Sequence, residues 1–369
     1  MKLLSLEIRD FRNLAAVDLE PSPRATILVG SNGQGKTNLL EAIAFLTTLR
    51  ALRATRLEEL VRFGAGQAQV VGLFHGPGGP RTLAVRIADG ARMAFLDGKA
   101  LDRFDDYFEG LASVSFTPDD LLLVKGGPHE RRRFTDRAAF NRWPAVLSEA
   151  REYLRSLRAR NAALRRADAG VEESFRAPLA RAGARLLLRR RALLAEIAPR
   201  VEAAFREICG GERPSARLEY RTAAGVHLEG GEDEVANGLS AVLAARLERD
   251  RERGFTSAGP HADDLALLLD GRAARFYGSQ GQQRALVLAL KIAEIENLRN
   301  ALGRPPLLLL DDVSSELDPA KNGYLLDYLA SLPGQSFLTT TDERLLAAAA
   351  GPESAFFRVE RGGLSRLVS

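Results

Sequence analysis

The segment Gly30–Thr37, GSNGQGKT, constrains this chain more than any other. It matches the pattern G-x-x-x-x-G-K-[ST] at every fixed position. It follows ATILVG, a β-rich run, and precedes NLLEAIAFLTTL, an apolar run at helical spacing. A strand, a glycine turn and a helix N-terminus in that order present backbone N–H groups to phosphate oxygens. Gly30, Ser31, Asn32, Gly33, Gln34 and Gly35 would form the cradle. Lys36 would neutralise the β- and γ-phosphates, and the Thr37 hydroxyl would be a ligand to Mg²⁺. ATP and Mg²⁺ are the cofactors this pattern implies. An ordinary Gly-rich turn would lack these flanks.

The rest of the composition bounds the setting. With 46% apolar and 27% charged residues, a chain of 369 residues can bury a sizeable core and stay hydrated outside. Its one cysteine, Cys209, excludes an intramolecular disulfide and fits a reducing compartment. MKLLSLEIRDFRN becomes charged too soon for a secretory signal and reads as a first strand. The run PPLLLL is far too short to span a bilayer. These features predict a cytoplasmic protein with no membrane partner. Net charge is +4, but residues 151–200 hold thirteen Arg against five Asp or Glu. That excess is larger than the whole chain's, which predicts a surface for a polyanion. A solvated, Arg-rich helix face is the alternative.

Residues 1–115 alternate short β-like runs with turns: KLLSLEI, ATILVG, AQVVGLF, RTLAVRIA and ARMAFLDG. Only the segment after the phosphate loop is strongly helical. Between about 128 and 209 the pattern becomes helical throughout. Leu147, Ala150, Leu154, Leu157, Asn161 and Leu164 form one narrow seam at spacings of three and four; Leu187, Leu194, Ile197, Val201, Ala204 and Ile208 form a second. The break near Gly170 predicts that the two helices fold back as an antiparallel hairpin. Pro178 should start or kink the second helix, and Pro199 should kink it. After Gly210, ARLEYRT, DLALLLDG and ARFYG read as β, QRALVLALKIAEIENLRNAL as a helix, and PPLLLL as a buried parallel strand. SFLTTTD is another strand, and FFRVERGG with LSRLVS a closing hairpin. The fold class is therefore α/β, with a helical block interrupting one domain.

Pro305–Asp318, PPLLLLDDVSSELD, is the partner the phosphate loop requires. An apolar strand ending in an acid is the Walker B arrangement, and Asp311 can hold Mg²⁺ through water. Asp312 stands where ATPases of the ABC type carry a water-polarising glutamate. It is one methylene shorter, which predicts slow hydrolysis. SSELD, ending at Asp318, looks like the D-loop of that superfamily. SQGQQR at Ser279–Arg284 resembles its signature motif. There Ser279, Gln280, Gly281 and Gln282 at a helix N-terminus would make a second anion site, which in that superfamily grips the γ-phosphate held by the opposite subunit.

Taken together, the chain resembles the RecF family, the DNA-repair branch of the SMC/Rad50-like ABC ATPases. The resemblance runs through LEIRDFRNL (Leu6–Leu14), FTPDDLLLVKGGPHERRRFTDR (Phe116–Arg137), TSAGPHADDL (Thr256–Leu265), YGSQGQQRALVLALKIAE and FLTTTD (Phe337–Asp342). It departs at Ala262, where the family usually has Arg after GPH. Thr341 stands where many ABC ATPases place a histidine, as is usual for RecF-like chains. The SFTPDDL block lacks the glutamine used near Mg²⁺, for which Asp119 or Asp120 could substitute. Arg53 matches a basic position that approaches nucleotide in related heads, with a surface charge as the alternative. His75, His129, His227 and His261 are scattered and form no familiar metal-ligand spacing.

The resemblance implies an ABC-type ATPase head, mixed-sheet with a phosphate-loop core, built from residues 1–115 and 210–369. A mainly helical arm would occupy 116–209. It implies a weak, DNA-stimulated ATPase in which Lys36, Asp311 and Asp312 serve catalysis. Two copies would sandwich two ATP molecules as an ATP-dependent homodimer, clamping duplex or gapped DNA and helping to load a RecA-type recombinase, with RecR and RecO as partners. Arginines with few interleaved aromatics predict contact with phosphates rather than bases. The competing readings are a transporter motor subunit, a chromosome-organising head, whose coiled coils would be far longer, and an ATP-binding scaffold without turnover.

Overall fold

The computed structural model describes residues 1–53, 56–101, 104, 106–166, 170–210, 215–223, 225–312, 318–342 and 353–367. The chain divides into two compact units: Met1–Asp120 with Glu294–Ser369, and Leu121–Ala293.

The first unit opens with β1 (Lys2–Phe11), β2 (Leu14–Leu19), β3 (Ala25–Val29) and α1 (Lys36–Thr48). Strands β4 (Gln67–Gly76), β5 (Gly79–Ala88), β6 (Ala91–Leu96), β7 (Lys99–Ala100) and β8 (Ser113–Phe116) follow. One antiparallel sheet runs β2-β1-β4-β5-β6-β7. Burial alternates along β4 and β5, as expected for strands with one covered face. Leu39 to Thr47 of α1 are buried without a break, because this helix packs on strands of both sheets of the unit.

The second unit carries α2 (Leu122–Lys125), α3 (Pro128–Arg142), α4 (Val146–Arg166), α5 (Val171–Ser174) and α6 (Arg176–Ile208). Next come β9 (Ala216–Arg221), α7 (Glu232–Ala245), α8 (Leu247–Arg253), β10 (Asp264–Leu269), β11 (Arg272–Ala273) and α9 (Ala274–Tyr277). A small antiparallel sheet runs β11-β10-β9. Helices α4 and α6 pack together, and α7 and β9 pack on α6. Those last contacts place residues 210–293 with the helices, not with the head expected to begin again at 210. Pro199 sits inside α6, which continues through it, and Pro178 lies in its first turn.

α10 (Gln280–Leu302) crosses the boundary between the units. The first unit is then completed by β12 (Leu307–Leu310), α11 (Pro319–Ser331), β13 (Ser336–Thr340), β14 (Ser354–Glu360) and β15 (Gly363–Leu367). Its second sheet has the order β15-β14-β3-β13-β12-β8. All its pairings are parallel except the β14–β15 hairpin. Every residue of β12 is buried, which is why PPLLLL reads as an unbroken apolar run.

Two local expectations need correction. The α4 seam is rotated: Val146, Tyr153, Leu157, Arg160 and Leu164 are buried, while Leu154 is 42% exposed. Tyr153 and Arg160 enter a buried polar network, so apolar spacing alone points to the wrong face. ARFYG forms α9 rather than a strand. The stretch between β9 and β10 contains α7 and α8, helices whose short apolar stripe, Val235, Leu239 and Leu243, carries a weak periodic signal.

Candidate nucleotide-binding site

Strand β3 ends at Val29, the loop Gly30–Gly35 turns, and α1 begins at Lys36. Two glycines make the turn possible. Gly35 adopts φ 113°, and a Cβ there would lie 2.8 Å from Asn13 Oδ1. At Gly30 a Cβ would lie 2.4 Å from the Val359 carbonyl oxygen. The loop is pinned from two sides. Asn13 donates to the Gln34 carbonyl at 3.3 Å and accepts from Asn38 at 2.8 Å. The β14–β15 turn donates from Arg361 N to Gln34 Oε1 (2.7 Å) and from Gly362 N to the Gln34 carbonyl (2.9 Å).

The parallel sheet brings the two motifs together, with β13 between β3 and β12. A cleft of about 320 Å³ results, lined by Asn32–Asn38, Arg53, Pro118, Asp311, Asp312 and Thr339. At its floor Thr37 Oγ1 donates to Asp311 Oδ1 at 2.8 Å, and Thr339 Oγ1 donates to the same oxygen at 3.0 Å. Arg53 Nη2 donates to Asp311 Oδ2 at 2.9 Å, and its Nε lies 3.6 Å from Asp119 Oδ2. The Arg53 backbone is tied to Glu41, which also binds Arg12. Asp120 instead caps its own turn through Thr117 N (2.7 Å).

Lys36 is 6% exposed and donates to the carbonyls of Gly30 and Ser31. Burial pulls its pKa below the usual lysine value, while Asp312 and Asp311 work against that shift. The cationic end is thus held by weak neutral acceptors that an anion could replace. Asp312 occupies the left-handed region at φ 48°, with its N–H bonded to Thr339 Oγ1 at 2.9 Å. That conformation costs most residues about 1–2 kcal/mol and is tolerated best by Asp and Asn. Thr339 therefore holds both acids at the end of β12. Sequence reasoning assigned it no role, although its place in FLTTTD marked the block. Thr341 is exposed.

The remaining predicted residues lie elsewhere. Ser279–Gln282 belong to the second unit and do not line the cleft. Ser279 and Gln282 exchange hydrogen bonds at the start of α10: Ser279 N to Gln282 Oε1 (2.8 Å) and Gln282 N to Ser279 Oγ (3.3 Å). Asp318 is the N-cap of α11, accepting from Lys321 N at 3.0 Å. The Lys321 hydrogen bond holds its carboxyl below the ordinary range. Residues 313–317, most of the expected D-loop, lie outside the described residues.

The TSAGPHADD block builds a different kind of assembly. Arg160 Nη1 donates to Asp250 Oδ2 (2.8 Å) and Thr256 Oγ1 (2.7 Å), with both members of the ion pair fully buried. Tyr153 Oη bonds His261 Nδ1 at 2.5 Å, while His261 Nε2 reaches the Thr256 carbonyl at 3.0 Å. Arg190 joins Asp136, Tyr220 and the Pro260 carbonyl. Among the described residues, no group of three or more His, Cys, Asp or Glu could hold a metal ion. No described helix is long and apolar enough to cross a membrane.

Known proteins share this construction along the whole chain. Residues 2–362 match the RecF/RecN/SMC N terminal domain family. The chain is 72% identical to the DNA replication and repair protein RecF of Anaeromyxobacter sp. (strain K), over 100% of both chains. It is 55% identical to the RecF protein of Myxococcus xanthus (strain DK1622), over 98% of this chain and 96% of the other. The solved recombination mediator protein RecF-ATP in the RecFOR pathway superposes with a TM-score of 0.90 at 29% identity, covering 99% of this chain and 97% of that one. With the Gly30–Thr37 loop joined to the end of β12 through Thr37 and Asp311, this chain belongs to the RecF family of ABC-type ATPases.

Proposed function

We propose that this chain is a cytoplasmic, ATP-gated, dimeric DNA-binding protein of recombinational repair that hydrolyses ATP slowly. The observation that carries this reading is the cleft itself, where Lys36, Thr37, Asp311 and Asp312 converge on one anion-sized space. The names of its relatives, with DNA repair in one and ATP in another, point the same way.

Thr37 Oγ1 and Asp311 Oδ1, 2.8 Å apart, are hard oxygen donors suited to Mg²⁺. The ion, when bound there, would polarise the β- and γ-phosphate oxygens. Lys36 would exchange the Gly30 and Ser31 carbonyls for phosphate, and the loop amides would hold the same charge. Asp312 would orient water and take its proton. Ser279 of a second copy would close the γ-phosphate from the other side, so that nucleotide state sets dimer state.

The second unit supplies the DNA surface in this reading. Many of the arginines counted in 151–200 are already spent: Arg160 and Arg190 are buried, and Arg176, Arg185 and Arg189 pair with carboxylates. Arg155, Arg158, Arg165 and Arg166 remain exposed on one face of α4. That stripe would grip duplex phosphates, with affinity falling steeply as salt rises. RecO, RecR and a RecA-type recombinase are the partners this reading implies.

Fluorescence anisotropy of a gapped duplex, with ATP, ADP or no nucleotide, tests the reading beside Lys36→Ala and Ser279→Arg. Binding that needs ATP and fails in both variants supports the clamp. Equal binding in all conditions breaks it. Phosphate release lost in Asp312→Asn separates a slow ATPase from a scaffold.

A further inference from the structure

Phe276 and Tyr277 are 75% and 66% exposed, side by side, three and two residues before Ser279. Scattered exposed apolar residues are ordinary on a protein surface. These two are mounted. The buried Gln283 amide donates to the carbonyls of Ala274 (3.0 Å), Arg275 (3.2 Å) and Gly278 (3.1 Å), stapling α9 to the first turn of α10. Gly278 is packed so closely that a Cβ would lie 2.8 Å from the Ala274 carbonyl oxygen. Each ring also carries a guanidinium: Arg272 lies 5.5 Å from the Tyr277 centroid and Arg275 lies 5.4 Å from that of Phe276. Rings and cations held on a fixed turn are the elements that bind a flat base joined to phosphates.

The cleft of the first unit is the complement. Its lining supplies amides, a lysine, hydroxyls and carboxylates, with Pro118 as the one apolar side chain and no aromatic ring among the described residues. It is equipped for phosphate and lacks a stacking surface for a purine. Small-molecule sites usually provide one.

We propose that Phe276 and Tyr277 of one copy stack on the purine base of the nucleotide seated in the cleft of a second copy. This rests on the two-copy sandwich proposed above. Tyr277 lies within about 7 Å of backbone from Ser279. Its side chain extends that reach, so Ser279 can meet the terminal phosphate while the rings meet the other end of the same nucleotide. The base is then recognised only when the sandwich forms.

The probe is 2-aminopurine riboside triphosphate, whose fluorescence falls on stacking. Wild type, Phe276→Ala/Tyr277→Ala and the bulk-preserving Phe276→Leu/Tyr277→Leu are titrated with it, and sedimentation records dimer formation with ATP and with inorganic tripolyphosphate. In wild type, quenching should rise with protein concentration alongside dimerisation. Both double variants should lose the quench and dimerise roughly tenfold more weakly with ATP, while tripolyphosphate drives all three chains equally. Quenching retained in the double variants overturns the platform while leaving the sandwich standing. So does an equal loss of dimer with ATP and tripolyphosphate, because the rings would then touch protein. A wild-type chain that stays monomeric with ATP overturns the sandwich and the platform together. Single-stranded DNA that competes for the quench without altering the dimer assigns the rings to nucleic acid instead and overturns the proposal.

Discussion

The cleft around Asp311 and the network around Asp250 use the same parts: an aspartate, an arginine and threonine hydroxyls. They differ in closure. Asp250 and Arg160 are both 0% exposed at the side chain, whereas Arg53, the partner of Asp311, is 41% exposed. In the closed network the partners are protein groups shut away from water. In the open one, Arg53 and Lys36 bond to acceptors that an incoming ligand could replace. Polar residues of one chemistry thus serve structure where they are sealed and binding where one side is left to solvent.

The largest test of that contrast removes the acid from each. Asp250→Ala leaves the Arg160 guanidinium buried without its carboxylate. It should destabilise the chain by about 3–5 kcal/mol in urea unfolding. Asp311→Asn keeps an acceptor for both hydroxyls and should cost about 1 kcal/mol or less, with nucleotide turnover abolished. Equal losses of stability would erase the distinction.

Lys36→Ala should weaken ATP binding at least about 100-fold, or roughly 2.7 kcal/mol, in calorimetric titration. Because the lysine is buried at some desolvation cost, the unfolding midpoint should hold or rise. A lower midpoint would make Lys36 part of the scaffold. Gly35→Ala should cost about 1–2 kcal/mol of stability through its left-handed conformation. It should weaken nucleotide binding as well, since Asn13 must move.

The smallest effect is one of pH. Burial lowers the His261 pKa below 6.5, the first cause among several. Tyr153 from α4, Arg132 from α3, Arg190 from α6 and Asp263 face it. A depressed folded value means the neutral ring contributes stability above pH 6.5. That contribution is lost as pH falls through the folded pKa. His261→Gln should flatten this part of the unfolding-versus-pH curve. An unchanged slope would show that the ring does not titrate with folding.

How legible the chain was depends on whether a feature is local. The phosphate loop and β12 carry their signals in consecutive residues, and both stand where the sequence placed them. The α4 face was misjudged because Tyr153 and Arg160 are buried by partners about a hundred residues away, as with Thr256 and His261. The arginine count for 151–200 likewise treated every guanidinium as surface. Nothing within one helix marks Arg160 or Arg190 as interior. Thr339 holds Asp311 across 28 residues of sequence, through the pairing of β12 with β13. No spacing rule announces a contact of that kind.

The pinning of Gln34 by Arg361 and Gly362 has a consequence for how the molecule is made. Gln34 and Arg361 are 327 residues apart in the chain, and among the described residues β3 pairs only with β13 and β14. A nascent chain therefore carries its phosphate loop for on the order of tens of seconds before the flanking strands emerge from the ribosome. Until then, of the groups that pin the loop, only Asn13 and Asn38 are in place. The last contacts that shape the nucleotide cleft therefore form only once the β14–β15 turn has been made.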